Sequence, residues 1–416
     1  MTTQTSLRNA SANHAATNGS TVNVDDLVSA KGTGTGPADS SVPVATVTPP
    51  NAPTPATPPS TGPAAPALDM PTLMQFLGKM VTELGAAATA PLTLLGDQLG
   101  LYKAIAKAGA VTSETLAQAT ETNERYIREW LANQAAAGYI TYDGASETFH
   151  LTPEQEAVFV EEGSPCYLGG AFYSFVSLFA DQPRLVEAFR TGEGISWGNH
   201  HSCLFCGVEK FFRPTYASHL VQDWIPSIEG ADEKLRAGAK AADVGCGHGA
   251  STILMAQAYP DSHFYGYDFH EPSIRAARAA AKKAGVTNVT FEVATAQDFP
   301  GSGYDFVTFF DCLHDMGDPV GAAARVNEAL TDDGSWMIVE PMAGDSLEDN
   351  LNPVSRLYYA YSTQICTPSA LSQDGGHSLG AQAGPKRMKA IVSEGGFGKF
   401  RKASDTPFNL IYEARK

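Results

Sequence analysis

The spacing of apolar side chains separates a polar N-terminal segment from a long region with regular periodicity. Residues 1–67 are rich in Ala, Thr, Pro, Ser and Gly and contain few large apolar side chains. Such a segment cannot bury enough surface to offset the entropy that it would lose on ordering. We therefore expect residues 1–67 to form a disordered tail with extended Pro-rich stretches, and we expect ordered structure to begin near Met70.

Residues 70–155 have the apolar spacing of short helices followed by a β-hairpin. The first helical pattern is carried by Leu73, Phe76, Leu77 and Met80. A second pattern covers residues 90–107, and two more helices can begin at threonine N-caps. Two strands follow, at 139–142 and 148–151, around a turn that contains Asp143-Gly144. Three helices and a hairpin in this order predict a winged-helix domain.

The charge of this domain argues against the usual DNA-binding role of a winged helix. Between Val111 and His150 there are two basic side chains, Arg125 and Arg128, and six acidic ones. A protein that reads a DNA groove presents a basic face, and the whole chain has a net charge of −17. We therefore predict no nucleic-acid partner. Formation of a homodimer, or closure over a neighbouring active site, is the expected role.

Residues 156–238 are predicted to be a helical, aromatic-rich connector that contributes to a substrate pocket. Its large aromatic side chains include Phe172, Tyr173, Phe175, Phe179, Phe211, Phe212, Tyr216 and Trp224. Cavities favour domain interfaces and aromatic linings, but packing between two domains needs the same residues. The sequence leaves both interpretations open.

Residues 239–416 alternate between apolar runs and helical patterns. The apolar runs lie at 241–244, 264–267, 289–293, 306–310 and 336–339. Helical stretches intervene, for example at 272–284 and 319–330. This alternation predicts an α/β fold, a doubly wound sheet with helices on both faces. Ligands of such sheets bind at the carboxyl ends of the strands.

A glycine-rich loop follows the first predicted strand of this region. Residues 243–249 read D-V-G-C-G-H-G, and a helical pattern begins directly after them. Glycines allow a tight turn and the close approach of backbone amides to a ligand. Asp268 ends the next predicted strand, 19 residues after Gly249. A carboxylate there can accept hydrogen bonds from both hydroxyls of a ribose, so the sequence predicts a nucleoside site.

The spacing of the loop separates two classes of cofactor. A dinucleotide site has the spacing G-x-G-x-x-G and places a pyrophosphate over the helix N-terminus, whereas this loop reads G-x-G-x-G. Asp243 lies two residues before the first glycine, and a buried carboxylate would repel a pyrophosphate. The Asp243 carboxylate instead suits a ligand that carries an ammonium group and no phosphate. These features favour S-adenosylmethionine (SAM) over NAD(P), and a methyltransferase over a dehydrogenase.

The loop and its downstream aspartate resemble motif I and its partner in class I SAM-dependent methyltransferases. The winged-helix front end resembles that of small-molecule O-methyltransferases and of a related actinobacterial group. The resemblance implies a seven-stranded sheet with a reversed last strand, whose final hairpin would be 400–403 and 409–414. It also implies that residues 294–299 lie beside the adenine. Many members carry an acidic residue where Thr295 stands, so Gln297 or Asp298 would supply that contact.

The expected cofactor-binding residues combine the loop, the ends of the following strands and the adenine segment. They are Asp243, Gly245, Gly247, Gly249, Asp268, Phe269, Gln297, Asp298 and Asp311.

The segment after the fourth strand of this region, D-C-L-H-D at residues 311–315, carries the predicted chemistry of the reaction. An imidazole titrates near neutrality and can take a proton from a hydroxyl whose oxygen attacks a methyl group. His314 is therefore the predicted general base, with Asp315 or Glu340 orienting its ring. The pair His314-Asp315 resembles that of plant-type O-methyltransferases, in which the equivalent histidine is the base.

The predicted function is methyl transfer from SAM to a small molecule, at a hydroxyl oxygen. Transfer to sulfur, nitrogen or carbon is an alternative, because a soft acceptor such as a thiol needs only positioning. A second alternative is a regulator that senses the cofactor through the sheet and acts through the winged helix. Its acidic charge argues against that role.

The remaining sequence features bear on location and metal binding. No apolar run approaches the length of a membrane span, and the first 30 residues lack the pattern of a secretory signal. A transit peptide is disfavoured by the scarcity of basic residues, so we expect a cytoplasmic protein with reduced cysteines. Cys203 and Cys206 lie near two histidines, but one C-x-x-C without a second ligand pair is weak support for zinc. We predict no metal.

Overall fold

The computed structural model describes residues Leu68–Lys416. The predicted disordered tail, residues 1–67, lies outside the described residues. No helix in the described part is long and apolar enough to cross a membrane.

The first of the N-terminal helices is longer than its sequence pattern indicated. These helices are α1 (Met70–Gln98), α2 (Leu101–Ala108), α3 (Ser113–Ala119) and α4 (Glu124–Ala136). The prediction of a separate helix over residues 90–107 is wrong, because α1 continues through Pro91 and ends at Gln98. The break comes at Gly100, whose φ of 67° is left-handed, a conformation that glycine adopts at little cost.

The winged helix is confirmed by the hairpin that follows α4. Strands β1 (Thr141–Asp143) and β2 (Thr148–His150) pair antiparallel, and an isolated bridge joins Val111 to Phe149. Helix α3 begins at a capping box in which Thr112 and Thr115 satisfy each other's backbone amides. The core of this unit is apolar and includes Leu101, Ile105, Leu116, Ile127, Trp130 and Leu131.

A set of helices connects the hairpin to the large sheet. They are α5 (Pro153–Phe159), α6 (Ala171–Ala180), α7 (Gln182–Thr191), α8 (Cys203–His219), α9 (Ile225–Ser227) and α10 (Ala231–Ala237), with a π-helical turn at Leu220–Trp224 between α8 and α9.

The large sheet has seven strands in the order β5-β4-β3-β6-β7-β9-β8. The strands are β3 (Lys240–Val244), β4 (His263–Asp268), β5 (Val289–Val293), β6 (Tyr304–Phe310), β7 (Leu330–Pro341), β8 (Lys399–Asp405) and β9 (Asn409–Arg415). The pairs from β5 to β7 are parallel, whereas β9 runs antiparallel to both of its neighbours. The predicted reversed last strand and final hairpin are confirmed.

Helices cover both faces of this sheet, as the alternating pattern predicted. They are α11 (Ala250–Ala258), α12 (Glu271–Ala284), α13 (Pro319–Ala329), α14 (Pro353–Tyr361), α15 (Thr367–Leu371) and α16 (Gly384–Glu394). One apolar cluster, around Trp336, Phe309 and Val326, packs with α13 and α16, and another, around Trp224, Phe306 and Met255, packs with α11 and the connector.

The strand order reverses at β3, which lies between β4 and β6. In a doubly wound sheet the ligand crevice opens at this switch point, beyond the carboxyl ends of the strands. The division of the chain at residues 155/156 and 238/239 stays a prediction, because residues Leu68–Lys416 form one compact unit.

Candidate cofactor and methyl-transfer site

A cavity of about 700 Å³ opens at the switch point of the sheet. Its walls include six of the nine predicted cofactor residues and one of the two predicted catalytic residues. The cofactor residues on the wall are Gly245, Gly247, Asp268, Phe269, Gln297 and Asp311. The catalytic residue on the wall is Asp315. The predicted site residues therefore converge on one cavity, with exceptions described below.

The glycine loop, residues 245–249, bends sharply between β3 and α11. Gly245, Gly247 and Gly249 all have positive φ, at 76°, 52° and 77°, so each occupies backbone space that favours glycine. A Cβ at Gly245 would lie 2.6 Å from the Cys312 sulfur, and one at Gly249 would lie 2.7 Å from Phe291. Gly247 instead has no neighbouring atom at the corresponding place, and its backbone lies open on the cavity wall.

Asp268, at the end of β4, is hydrogen-bonded to the glycine loop. Its two oxygens accept hydrogen bonds from the backbone amides of Gly247 (2.9 Å) and His270 (2.8 Å). The side chain is nearly buried, and burial raises the pKa of its carboxyl above the ordinary value. Each carboxylate oxygen can accept a second bond. Asp268 therefore holds the loop, and its contact with a ribose stays a prediction.

Asp243 lies behind the loop and does not line the cavity. It is fully buried and accepts hydrogen bonds from Ser251 (2.7 Å), Thr252 (2.6 Å) and Thr308 (3.2 Å). Burial raises the pKa of Asp243 to about 6, although these hydroxyls oppose the shift. Its direct contact with the cofactor stays a prediction; in the structure its side chain fastens the start of α11 to β3 and β6.

The segment predicted to lie beside adenine divides into residues that line the cavity and residues that do not. Thr295 and Gln297 line it, and the Gln297 amide donates to the Asp318 carbonyl (3.1 Å). Asp298 is not on the wall. Its carboxylate accepts from the backbone amide and the hydroxyl of Thr295 (3.0 and 2.6 Å), which makes it a turn-stabilising residue in this structure.

His314 is held between two carboxylates and is itself buried. Its Nδ1 lies 2.5 Å from a Glu340 oxygen, and its Nε2 lies 3.1 Å from an Asp315 oxygen. Burial disfavours the charged imidazole, but the two carboxylates outweigh it and raise the pKa of His314 well above its ordinary value. Glu340 also accepts from the Leu313 amide (3.1 Å). The ring is therefore an imidazolium at neutral pH, and Asp315 is the member of the group on the cavity wall.

Asp311 follows β6 at the floor of the cavity in an unusual backbone conformation, with φ of 49°. Its carboxyl receives hydrogen bonds from Tyr216 (3.1 Å) and Asn409 (2.9 Å). Burial, reinforced by the like charge of Glu340 and opposed by His314, raises the pKa of Asp311 to about 8. Asp311 is therefore largely protonated at neutral pH unless a cation approaches it.

We expect SAM binding to tighten as the pH rises toward about 8. Below that pH Asp311 is protonated; a nearby cationic ligand favours the ionised form, so binding releases a proton. The association constant of the wild type should gain up to about tenfold per pH unit in this range. Asp311→Asn should lack that component, and asparagine tolerates the same left-handed backbone. Calorimetry at matched pH values measures both proteins; identical pH profiles would contradict the assignment.

One face of α8 lines the cavity, and of its wall residues only Phe212 and Tyr216 were among the predicted aromatic side chains. The wall residues from this helix are Phe205, Val208, Glu209, Phe212 and Tyr216. Their spacing of three and four residues is that of a single helix face, a signal that the sequence contained. The other predicted aromatic residues of the connector are not on the wall, whereas Trp197, which was not predicted, is.

The loop after α15 forms the outer rim of the cavity. Its wall residues are Ser372, Gln373, Asp374 and Gly375, and Ser369 of α15 lies beside them on the wall. The tyrosines of α14 pack beneath instead: Tyr358 is buried and donates to the Phe408 carbonyl (2.9 Å), and Tyr361 bonds to Ser174. These contacts give the tyrosines of α14 a packing role.

The composition of the wall tests which cofactor fits. Six carboxyl side chains line the cavity, namely Glu209, Asp268, Asp311, Asp315, Asp318 and Asp374. Among the described wall residues none is Lys or Arg. A pyrophosphate would meet carboxylates without a compensating cation, whereas an adenosine that carries sulfonium and ammonium groups fits the set.

Cys203 and Cys206 lie on α8, and all six cysteines of the chain are free thiols. Neither of these two belongs to any group of three potential metal ligands in residues 68–416.

Comparison with known proteins agrees with this geometry. Residues 235–395 match the family model described as a methyltransferase domain. Residues 87–161 match the model described as a Rv2258c-like winged HTH domain. The first region contains β3 to β7 with the glycine loop, and the second contains most of the winged helix.

Individual relatives resemble the chain at low identity. The ubiquinone biosynthesis O-methyltransferase of Bordetella avium (strain 197N) is 29% identical over 195 residues, 45% of this chain and 73% of that protein. The tRNA (guanine-N(7)-)-methyltransferase of Aliivibrio salmonicida (strain LFI1238) is 51% identical, but over only 47 residues, 11% of this chain and 20% of that protein.

Solved structures share the fold over most of the described chain. Human N-acetylserotonin methyltransferase, solved in complex with SAM, is 16% identical, with a TM-score of 0.62, over 86% of this chain and 99% of that chain. An O-methyltransferase family protein from Burkholderia thailandensis is 17% identical, with a TM-score of 0.60, over 84% of this chain and 99% of that chain.

The fold, the cavity and the two domain matches define a class I SAM-dependent methyltransferase. The chain joins this methyltransferase domain to an N-terminal winged-helix domain, and its cofactor is SAM.

Proposed function

We propose that this enzyme methylates a hydroxyl oxygen of a small molecule. The observation that carries the proposal is the Asp315 carboxylate on the wall of the cofactor cavity, backed by His314 and Glu340. Bound SAM supplies a methyl group that its sulfonium already activates. The chain must then align the acceptor and accept the hydroxyl proton.

The proton acceptor is the group formed by Asp315, His314 and Glu340. The two carboxylates and one imidazolium carry a net charge of −1, so the group can take one proton. Because the His314 Nε2 lies 3.1 Å behind an Asp315 oxygen and Asp315 is the member on the wall, this carboxylate meets the hydroxyl first, and the imidazolium stabilises its charge. His314 thus acts through Asp315 in this arrangement, which refines the predicted direct base.

The same cavity supports a small, largely uncharged acceptor. Aromatic side chains of α8 face the cofactor loop, and the rim loop after α15 contributes hydroxyl and amide groups. Orientation of donor and acceptor in such an enclosed site supplies several orders of magnitude in rate. No base beyond the Asp315 group is required.

A methyl-transfer screen with labelled SAM tests this function. The full chain should transfer label to phenols or alcohols and leave matched amines and thiols unlabelled. Transfer to a thiol or an amine alone would favour the alternative acceptor atoms and remove the need for the base. SAM binding without any transfer, together with salt-dependent retention on DNA, would favour the regulator instead.

We also propose that the protein is a cytoplasmic homodimer that pairs through α1. The first half of this helix exposes apolar side chains, namely Met70, Met74, Phe76, Leu77, Met80, Val81 and Leu84. A contiguous apolar surface of this kind marks an interaction site, and a two-fold pair is the commonest assembly. The cytoplasmic location is supported by the free thiols.

Disruption of that surface should yield a monomer. Phe76→Glu combined with Val81→Glu places charges at positions that are 58% and 68% exposed, so the protomer itself should keep its stability. Light scattering after size exclusion should give twice the chain mass for the wild type and the chain mass for the variant. Phe189→Glu, at a residue of α7 that is 71% exposed, is the matched control and should stay dimeric. A monomeric wild type would contradict the proposal.

A further inference from the structure

The cofactor places a carboxylate in a cavity that is lined by acidic side chains. SAM carries one carboxylate on its amino acid end, and the wall holds six carboxyl groups without Lys or Arg among the described residues. An anion buried there without a donor would be strongly disfavoured. The structure must therefore offer this carboxylate a hydrogen-bond donor from another kind of side chain or from the backbone.

His248 is the imidazole that lines this cavity. It lies in the glycine loop between Gly247 and Gly249, both with positive φ, and its side chain is 21% exposed. Its Nδ1 lies 3.0 Å from a Glu209 carboxylate oxygen on α8. The hydrogen bond to His248 holds the pKa of Glu209 below its ordinary value, so Glu209 is an ionised partner that orients the ring.

This orientation leaves the other ring nitrogen for a ligand. Nε2 of His248 makes no hydrogen bond with the described residues, whereas Nδ1 is committed to Glu209. The other nearby histidines do not offer an equivalent nitrogen on the wall. His270 bonds to Ser273 through Nδ1 and stacks on Phe205, and His314 is buried behind Asp315.

We propose that His248, oriented by Glu209, binds the carboxylate of the methionine part of SAM. Because Nδ1 lies at the Glu209 carboxylate, Nε2 is left to donate a hydrogen bond to the carboxylate of the cofactor. Because His248 belongs to the same loop as Gly245 and Gly247, it anchors the amino acid end beside the backbone that the cofactor contacts. The inference rests on the cofactor and is independent of the acceptor.

The pair also joins the connector to the sheet, because Glu209 comes from α8 and His248 from the β3–α11 loop. Binding of the carboxylate would therefore link the helix that covers the cavity to the loop beneath it. This makes Glu209 a positioning residue and His248 a cofactor-binding residue.

The test compares two ligands that differ only in the carboxylate, SAM and decarboxylated SAM. Calorimetry on the full chain should show that His248→Ala weakens the binding of SAM by about tenfold or more, the scale of a charge-assisted hydrogen bond. The affinity of His248→Ala for decarboxylated SAM should stay within about twofold of the wild-type value. The difference between the two losses of affinity then measures the interaction between His248 and the carboxylate, as in a double-mutant cycle. Glu209→Ala should reproduce the SAM-selective loss more weakly.

Two controls separate binding from folding and from base catalysis. His219→Ala removes a histidine of α8 paired with Asp223 at 2.7 Å, outside the wall, and should change neither affinity. Equal losses for both ligands would mean that His248 only shapes the loop and would overturn the proposal. Unchanged affinities with slower turnover would identify a proton-transfer role and would overturn it as well. If His248→Ala fails to fold, His248→Gln, which keeps the bulk of the side chain, is compared in its place.

Discussion

Replacement of His314 by alanine is expected to lower kcat by about 10²- to 10⁴-fold, the range for loss of acid–base catalysis. The imidazolium is the only cation of the Asp315–His314–Glu340 group, and its removal leaves two carboxylates close together in a buried place. One of them then takes up a proton, and Asp315 loses the imidazolium that holds it in position to receive the proton of the substrate. Asp315→Asn should lower kcat to a similar extent, because it removes the carboxylate on the wall.

The affinity for SAM separates this effect from general damage. Because His314 is behind the cavity wall, the Kd of SAM should change by less than about threefold while kcat falls. His200→Ala is the matched control: His200 is also buried and lies 2.9 Å from a carboxylate oxygen, that of Asp181, but it does not line the cavity. Both histidine variants should lose stability, whereas only His314→Ala should lose turnover. Undiminished turnover in His314→Ala would refute the assigned role.

Replacement of Asp268 by alanine should weaken SAM binding by about 1–3 kcal/mol, the scale for lost hydrogen bonds to a charged group. Two effects contribute. The ribose loses its acceptor, and the amides of Gly247 and His270 lose theirs, so the loop is no longer held in its bound shape. Asp268→Asn keeps one acceptor oxygen and should show a smaller loss.

Calorimetry with SAM and with its demethylated product measures this loss directly. Glu292→Ala is the control, because Glu292 is an exposed carboxylate in the next strand, β5, and should leave affinity unchanged. An Asp268→Ala protein that binds SAM as tightly as the wild type would remove Asp268 from the cofactor site.

Much of the sheet could be predicted because its strands are buried on both faces. The runs at 241–244, 264–267 and 306–310 fall inside β3, β4 and β6, since central parallel strands read as continuous apolar segments. The glycine loop was also predictable, because three of its positions have a positive φ that favours glycine. The long α1 was not: a proline usually ends a helix, yet Pro91 lies inside it.

The direction of a polar side chain was the feature that the sequence did not determine. Asp243, next to the last residue of β3, and Asp268, the last residue of β4, both lie near the glycine loop, but only Asp268 lines the cavity. The hydroxyls of Ser251 and Thr252 on α11 capture Asp243, and a motif cannot show this. Likewise, Glu209 and His248 are 39 residues apart, and no local pattern pairs them.

The chain's own pattern of apolar residues and glycines determined the α/β sheet, the winged helix and a loop shaped for a nucleoside without phosphates. These depend on local periodicity and backbone geometry, which neighbouring residues specify. The tertiary structure decided which groups face the cavity: Asp315 in front of His314, Asp311 in a buried place that keeps it protonated, and His248 turned by Glu209. Those outcomes depend on burial and on charges brought together from distant segments, and such long-range electrostatics acts only once the chain has folded.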